Sequence, residues 1–506
     1  MPRILFGFAA ALVAALLATS TAVATPGATR APGPPAPDTV PPPSPVITAI
    51  TAGAAHTCAL TAEGGVVCWG SNYFGELGDG STGFSPVPVA VSGLASGTVA
   101  IAAGEYHTCA LVRGGRVNCW GQNSSGQLGN GTMAGSSVPV AVSGLPAGVT
   151  AIAASGWHTC ARTSGGSVLC WGSDYARGTE TEWRSSLVPV DVTGLVGGFT
   201  TASGGNHACA VTAPGGATCW GFNKWGQLGN GVTDTVHRAS SPVAVVGLAR
   251  GVTAISAGIG HTCAIAEGGV VCWGYNVHGE LGDRTRVNSN VPVQVVGLGR
   301  PVSAISAGSG HTCALASGGG VSCWGGNWSG QLGNGGRANS PAAVAVSGLA
   351  SGIVAIAAGH HHTCALTARG RVRCWGANDY GQLGDGTTVG RRVPVAIRFL
   401  VYPSIRLGSS IPAGTIDQGT TVTFSATVRP LAPAGGRPVV RFAVFRWEDG
   451  AWRTAAWRDV TVDETGTATL QWGFVTAGQR AVRARVLASA SFVTSPSTPP
   501  LRYTVR

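Results

Sequence analysis

Residues 107–131 read HTCALVRGGRVNCWGQNSSGQLGNG, and the chain contains seven variants of this stretch. In each, a cysteine two positions after a histidine is followed nine or ten residues later by a second cysteine inside a Cys-Trp-Gly triplet. All 14 cysteines belong to the pattern, as Cys58 with Cys68, Cys109 with Cys119, Cys160 with Cys170, Cys209 with Cys219, Cys263 with Cys272, Cys313 with Cys323 and Cys364 with Cys374. Aligned on His56, His107, His158, His207, His261, His311 and His362, the intervals are 51, 51, 49, 54, 50 and 51 residues. Such a period points to a propeller or a solenoid.

Each unit carries four short apolar segments separated by Gly-rich turns. In the first unit they are Ile47 to Ala52, His56 to Thr61, Val66 to Trp69 and Val87 to Val91. Four strands match one propeller blade and seven units match a closed ring. The expected fold class is therefore all-β, with a seven-bladed β-propeller over residues 46–398.

Pairing Cys58 opposite Cys68 also sets Leu60 opposite Val66 and leaves a short loop around Glu63-Gly64. In the fifth unit the cysteine spacing is one shorter, and the same pairing turns Glu267-Gly268 into a two-residue hairpin loop. Opposed positions on antiparallel strands bring β-carbons to about 4.5–5.5 Å, near the reach of a disulfide. Each pair is thus expected to staple one hairpin, contributing roughly 2–3 kcal/mol. Alternation puts Cys58, Leu60, Val66 and Cys68 on one face and Ala59, Val67 and Trp69 on the other. Both faces are apolar, as a blade between two neighbours requires. A metal site is not expected, because there is no Cys-x-x-Cys and each cysteine already has its partner.

Glycine makes up 79 of 506 residues and charged residues only 10%, which suits many short strands joined by tight turns. The net charge is +11, with Lys224 as the sole lysine and the arginines scattered singly. A nucleic-acid-binding stripe would gather them, so no nucleic-acid partner is expected. Arg3, the apolar run Ile4 to Leu17 and Ala22-Val23-Ala24 read as a signal peptide over residues 1–24. Residues 25–45 form a Pro-rich linker, and no later stretch is long and apolar enough for a membrane span. A secreted protein, extracellular or cell-wall associated, is expected, with its cysteines oxidised.

After residue 398 the repeat stops. Alternating runs at Thr421 to Val428, Val439 to Arg446, Ala468 to Trp472 and Ala481 to Val486 suggest an immunoglobulin-like β-sandwich over residues 399–506, without a cysteine to bridge its sheets.

The repeating unit strongly resembles the regulator of chromosome condensation repeat, whose members fold as seven-bladed β-propellers. The residues that carry the resemblance are His107 to Leu111, Val117 to Gly121, Asn123, Gly126-Gln127-Leu128-Gly129 and Gly131, with six good copies between 46 and 398. The third copy departs from it, reading SDYARGTETEWRSS after Trp171-Gly172. The founding members of the family act in the nucleus as exchange factors for a small GTPase. For a secreted, disulfide-bonded version the resemblance carries over the fold and not that activity.

The chain is also similar to secreted bacterial β-lactamase inhibitors built on the same propeller. That resemblance implies that bulky residues just before the repeat histidine, and in the two middle positions of Asn-x-x-Gly, project from one rim and grip a partner. The matching positions are Tyr73, Phe74, Tyr106, Trp157, Tyr175, Trp225, Trp328 and Tyr380, together with His360 and His361. Exposed aromatic residues on one face are what binding hot spots are made of.

No nucleophile with a base and an orienting acid is evident, so no enzyme and no cofactor are expected. The seven repeat histidines are read as hydrogen-bonding links between blades or turns. Of His360-His361-His362, only His360 and His362 could share an ion, and no third ligand is identifiable. Acidic residues such as Glu76, Asp79, Glu280, Asp283 and Asp385 alternate with amides in other copies, which disfavours a paired-carboxylate site. The reading is a monomeric protein-binding module, an inhibitor of a secreted enzyme or a cell-surface interaction protein. A glycan-binding cell-wall module is one alternative. Another is a secreted hydrolase or lyase in the atypical third unit, with Asp174, Arg177, Glu180 and Glu182 as candidates.

Overall fold

A computed structural model describes residues 45–505 apart from 174–184, 193–194, 196–200, 204, 206, 214, 234–238, 300, 400–403, 411, 419, 430–438, 449–450, 464–466, 475–476 and 487–500. The expected signal peptide, nearly all of the expected linker, and Tyr175, Asp174, Arg177, Glu180 and Glu182 lie outside the described residues.

Seven four-stranded antiparallel sheets follow one another, each made of four strands consecutive in sequence. In the first blade the strands run Ile47–Ala52, His56–Thr61, Val66–Gly70 and Ser85–Ala90. The last blade runs from Ile353–Ala358 to Arg391–Ala396. Blade 7 meets blade 1 without exchanging a strand. Thr57 Oγ1 lies 2.9 Å from His362 Nε2, and Trp69 Nε1 donates to the Gln382 carbonyl at 2.9 Å. Ile47, Ala59 and Trp69 share one apolar cluster with Cys364, Leu366 and Cys374.

The pairing expected from the cysteines is present, with Cys58 facing Cys68 and Leu60 facing Val66. Disulfides join Cys58 with Cys68, Cys109 with Cys119, Cys160 with Cys170, Cys209 with Cys219, Cys263 with Cys272, Cys313 with Cys323 and Cys364 with Cys374, their Cα atoms 4.0–4.1 Å apart. Cys119, Cys170, Cys219 and Cys323 are buried like the other ten, so every cysteine serves the fold and none reaches the surface to meet a ligand. In blade 5 Ala266 faces Gly269, so Glu267 and Gly268 form a two-residue loop with φ of 51° and 81°. Both central residues with positive φ define the turn whose twist matches its flanking strands.

Alternation along these strands gives each blade a cysteine face and a tryptophan face. Cys58, Leu60, Val66 and Cys68 of blade 1 pack against Ala110 and Trp120 of blade 2. The same layering recurs where Cys109 and Cys119 meet Trp171, where Cys160 and Cys170 meet Trp220, and where Cys263 and Cys272 meet Trp324. Cys209 and Cys219 lie likewise against Trp273, and Cys313 and Cys323 against Trp375. Each repeat tryptophan is buried, and five besides Trp69 are anchored by a ring nitrogen that donates to the carbonyl of a Glu or Gln in the preceding blade: Trp120 to Glu76, Trp171 to Gln127, Trp273 to Gln227, Trp324 to Glu280 and Trp375 to Gln331, at 2.8–2.9 Å. Glycine two residues past that carbonyl is a packing requirement. A β-carbon on Gly78 would stand 2.7 Å from Trp120 Nε1, at a backbone φ of 69°.

The repeat histidines close the same junctions. His56, His107, His207, His261, His311 and His362 each place Nε2 2.7–2.9 Å from a threonine hydroxyl of the next blade: Thr108, Thr159, Thr262, Thr312, Thr363 and Thr57. The Thr108 hydroxyl donates its one proton to the Glu76 carbonyl, so the imidazole must be the donor, with its proton on Nε2. Burial holds the pKa of all seven repeat histidines at about 3 to 4, so they are neutral. At the seventh junction blade 4 has Ala208 in place of threonine, and both ring nitrogens of His158 are buried without a partner.

Beyond the ring, a sheet of Ser404–Ser409, Thr421–Arg429 and Thr467–Gly473 shares one core with a sheet of Gly414–Ile416, Leu501–Val505, Gly478–Val486, Val439–Glu448 and Ala451–Thr461. Val422, Phe424, Val440, Phe442, Val482 and Tyr503 fill that core. Gly414–Ile416 pairs parallel with Leu501–Val505, and the other pairings are antiparallel.

Candidate binding face

In the blades whose loops are described, two of them open on the same side of the ring, because the strands of a blade alternate in direction. One is the tight turn before the repeat histidine, and the other is the long loop after Cys-Trp-Gly. The opposite side carries the stapled hairpin turns and the connections between blades.

The long loop is rigid because its own side chains satisfy its backbone. In blade 1 Asn72 Oδ1 accepts from the Leu77 amide at 2.9 Å, while Asn72 Nδ2 donates to the carbonyls of Ser81 and Gly83 at 3.1 Å. Glu76 Oε2 accepts from the Phe74 amide at 2.8 Å, and Gln127, Gln227, Gln331 and Gln382 do the same for Ser125, Trp225, Ser329 and Tyr380. One acceptor oxygen suffices, which explains why Glu and Gln interchange. The interchange speaks for a structural task at this position.

The side chains at the two middle positions of this loop are thereby held outward. Tyr73 is 64% exposed, Phe74 45%, Trp328 39% and Tyr380 36%. Rings from neighbouring blades touch edge to face: Tyr73 with Tyr380 at 5.5 Å between centroids, and Phe74 with Tyr106 at 5.4 Å. Across blades 4 to 7 an unbroken arc runs from Phe222 through Trp225, Tyr275, His278, Trp328 and His361 to His360, with centroid spacings of 5.0–6.2 Å. Trp157 is half-buried in blade 3. Tyr106, Trp225, His360 and His361 are half-buried as well.

Glycine makes room for the two large rings. A β-carbon on Gly260 would lie 3.1 Å from Trp225 Cε3, and one on Gly326 would lie 2.1 Å from Trp328 Cζ3. The inner strands surround an axial channel of about 350 Å³, lined by Ile50, Ile101, Ile255 and Ile305 among others. At its mouth Glu105 Oε1 stands 3.5 Å from His360 Nε2. Burial and His360 lower the pKa of His361, while burial together with the charges of Glu105 and Glu76 raises that of Tyr106. His362 turns inward to Thr57, so His360 and His362 do not share a ligand position. Among the described residues no group of three or more His, Cys, Asp or Glu side chains is placed to hold a metal ion.

The structure thus brings eight of the ten anticipated residues into ring contacts on one face, with Trp157 on the same side and Tyr175 outside the described residues. It adds Phe222, Tyr275, His278 and Glu105. Phe222 and Tyr275 immediately follow Cys-Trp-Gly, a position that holds Ser71, Gln122, Ser173, Gly326 and Ala377 elsewhere. That variability was the available signal.

Comparison with known proteins gives a consistent result. The regulator of chromosome condensation (RCC1) repeat matches residues 63–111, 114–162, 215–265, 267–315, 318–366 and 369–405, and a second description of the same repeat matches six overlapping segments. The ultraviolet-B receptor UVR8 of Arabidopsis thaliana is 31% identical over 384 residues, covering 73% of this chain and 74% of that protein. The structure of yeast RCC1 (Prp20) bound to Kap60 superposes with a TM-score of 0.60 at 21% identity, over 72% of this chain and 88% of that one. Prp20p of Saccharomyces cerevisiae, in a structure reported with its binding to Gsp1p and histones, gives 0.59 at 22% identity over 72% and 90%.

Proposed function

The chain belongs to the regulator of chromosome condensation (RCC1) repeat family, and we propose that it serves as an exported protein-binding module whose partner docks on the aromatic face. One observation carries this reading: the arc of rings from Phe222 to His360, rigidly held, part-exposed and not needed for the junctions beneath it. Large aromatic side chains supply contact area at low entropic cost, which is how few residues come to dominate an interface. Relatives with the same ring bind proteins, as Prp20 does Kap60. Their partners do not transfer at this level of identity.

Export is supported by the seven disulfides, which persist in oxidising compartments, and by the apolar run and cleavage site at residues 1–24. The partner is then a secreted enzyme that the module inhibits or a protein of the cell surface. The chain works as a monomer without catalysis or cofactor, with the propeller over residues 46–398 and an immunoglobulin-like sandwich over 399–506 as a spacer or second contact. Capture from culture supernatant by the mature chain tests the face: Trp225→Ala with Trp328→Ala should lose at least tenfold of the retained partner. Equal retention would overturn the proposal. Retention of glycans and of no protein would transfer the face to a cell-wall role, with the exposed Tyr73 and Tyr380 rings as stacking surfaces.

A further inference from the structure

The residue two positions before each repeat histidine lines the mouth of the axial channel, whose cavity measures about 350 Å³. Blades 3 and 4 place Gly156 and Gly205 there, so that arc of the mouth has no side chains. Blade 2 places Glu105 and blade 7 places His360, on either side of blade 1. Glu105 Oε1 stands 3.5 Å from His360 Nε2 and would lie 3.8 Å from a β-carbon on Gly205. The carboxylate therefore reaches over the bare arc. It is part-exposed, and among the described residues no group donates a hydrogen bond to it.

Below the mouth the walls are sheet edges. The innermost strand of each blade pairs on one side only, so alternate residues turn their N–H and C=O away from the ladder. In three blades a hydroxyl of the preceding blade takes up the N–H: Thr51 Oγ1 accepts from Ala103 at 3.1 Å, and Ser256 and Ser306 accept from Ala307 and Ala358 at 2.9 Å. The corresponding residues Ala52, Ala154 and Ala257 also line the cavity, but the preceding blade sets Ala357, Ala102 and Ala202 beside them. No hydroxyl meets those three amides.

A ligand suited to this cavity brings a positive charge to the mouth and hydrogen-bonding groups of both kinds beneath it. An alkylamine would neutralise Glu105 but offer nothing to the strand edges, and a carboxylate or phosphate would suit the amides and be repelled by Glu105. A polypeptide amino terminus has an ammonium followed by alternating C=O and N–H, the pattern that adds to a sheet edge. From Ile50 to Ala54 the channel is about 13 Å deep, which holds about four extended residues. The volume stands at the lower end for ligand pockets, and this restricts those residues to small side chains.

We infer that the axial channel receives the free amino terminus of a short peptide of small residues, its ammonium on Glu105 and its backbone along the open inner strands. The site goes beyond the docking proposed for the aromatic rings and does not depend on it.

The probes are Gly-Ala-Gly-Ala amide and its N-acetylated form, titrated calorimetrically into the full mature chain. Saturable binding of the free amine is expected, at least tenfold tighter than that of the acetylated peptide. Glu105→Gln should weaken the free amine at least tenfold. Ala102→Ser, which gives the Ala154 amide the hydroxyl its counterparts have, should weaken it about threefold. Alanine, glycine or serine stands at the position of Glu105 in four blades, and serine or threonine at that of Ala102 in three, so both variants keep the fold. Absent saturation, equal affinity for the two peptides, or equal binding by Glu105→Gln would overturn the channel site. The chain carrying Trp225→Ala with Trp328→Ala separates the two readings. Peptide binding kept by that chain and lost by Glu105→Gln supports the channel; the reverse result moves the peptide to the aromatic face and overturns the channel site.

Discussion

Six blade junctions share one design, and the junction between blades 3 and 4 does not. At the six, a neutral imidazole donates to a threonine hydroxyl of the next blade. In five of them that hydroxyl donates in turn to a carbonyl of the first blade, so three polar groups leave water together and satisfy one another. At the seventh, Ala208 removes the middle member and leaves His158 with both nitrogens unpaired. The third unit also lacks the Gly-Gln-Leu-Gly segment whose carbonyl accepts elsewhere. Two departures in different blades meet at one interface. Polar links of this kind are kept or lost as sets, because a half-satisfied one costs more than none.

The largest test of this comparison is pH. Each buried imidazole has a pKa near 3 to 4 in the folded ring and an ordinary 6.5 when unfolded. Between those values the unfolded chain takes up protons that the folded chain refuses, so stability rises with pH across the window and is level above about pH 7. The loss between about pH 7.5 and 4.5, summed over the rings, should be on the order of 10 kcal/mol. Denaturant unfolding at the two pH values measures it, and coincident curves would show that the rings are not held neutral. Next in size, Trp120→Ala should destabilise by about 3–5 kcal/mol through cavity formation and the lost bond to the Glu76 carbonyl. Thr108→Val keeps the volume but strands the His56 proton, for about 1–3 kcal/mol. The smallest effect has the opposite sign: Ala208→Thr should give His158 an acceptor and stabilise by about 0.5–1.5 kcal/mol. A loss there, of the size seen for Thr108→Val, would mean that blade 4 has closed around the smaller residue.

Blade number, strand register, disulfide pairing and the place of the tryptophans were all readable from the sequence, because each follows from a period of two along a strand and of about fifty along the chain. The partner of each histidine was not. His-Ala-Cys at Ala208 is visible at a glance, yet only the ring shows that the histidine bonded to a repeat threonine sits one blade earlier. The binding face divided in the same way. Tyr73, Phe74, Trp225 and Trp328 could be found from their loop positions, whereas the meeting of Glu105 with His360 depends on the ring placing blades 2 and 7 on either side of blade 1. A property shared between blades has no signature within one repeat.

Each disulfide joins cysteines nine or ten positions apart, inside a blade whose strands are consecutive in the chain. Loop closure disfavours distant partners, so the correct thiol is also the one that arrives first. A chain crossing into an oxidising compartment can therefore lock its blades one after another as they emerge. Little disulfide reshuffling is needed despite 14 cysteines. Only the last event is long-range: Thr57 must wait some three hundred residues for His362 before the circle is complete.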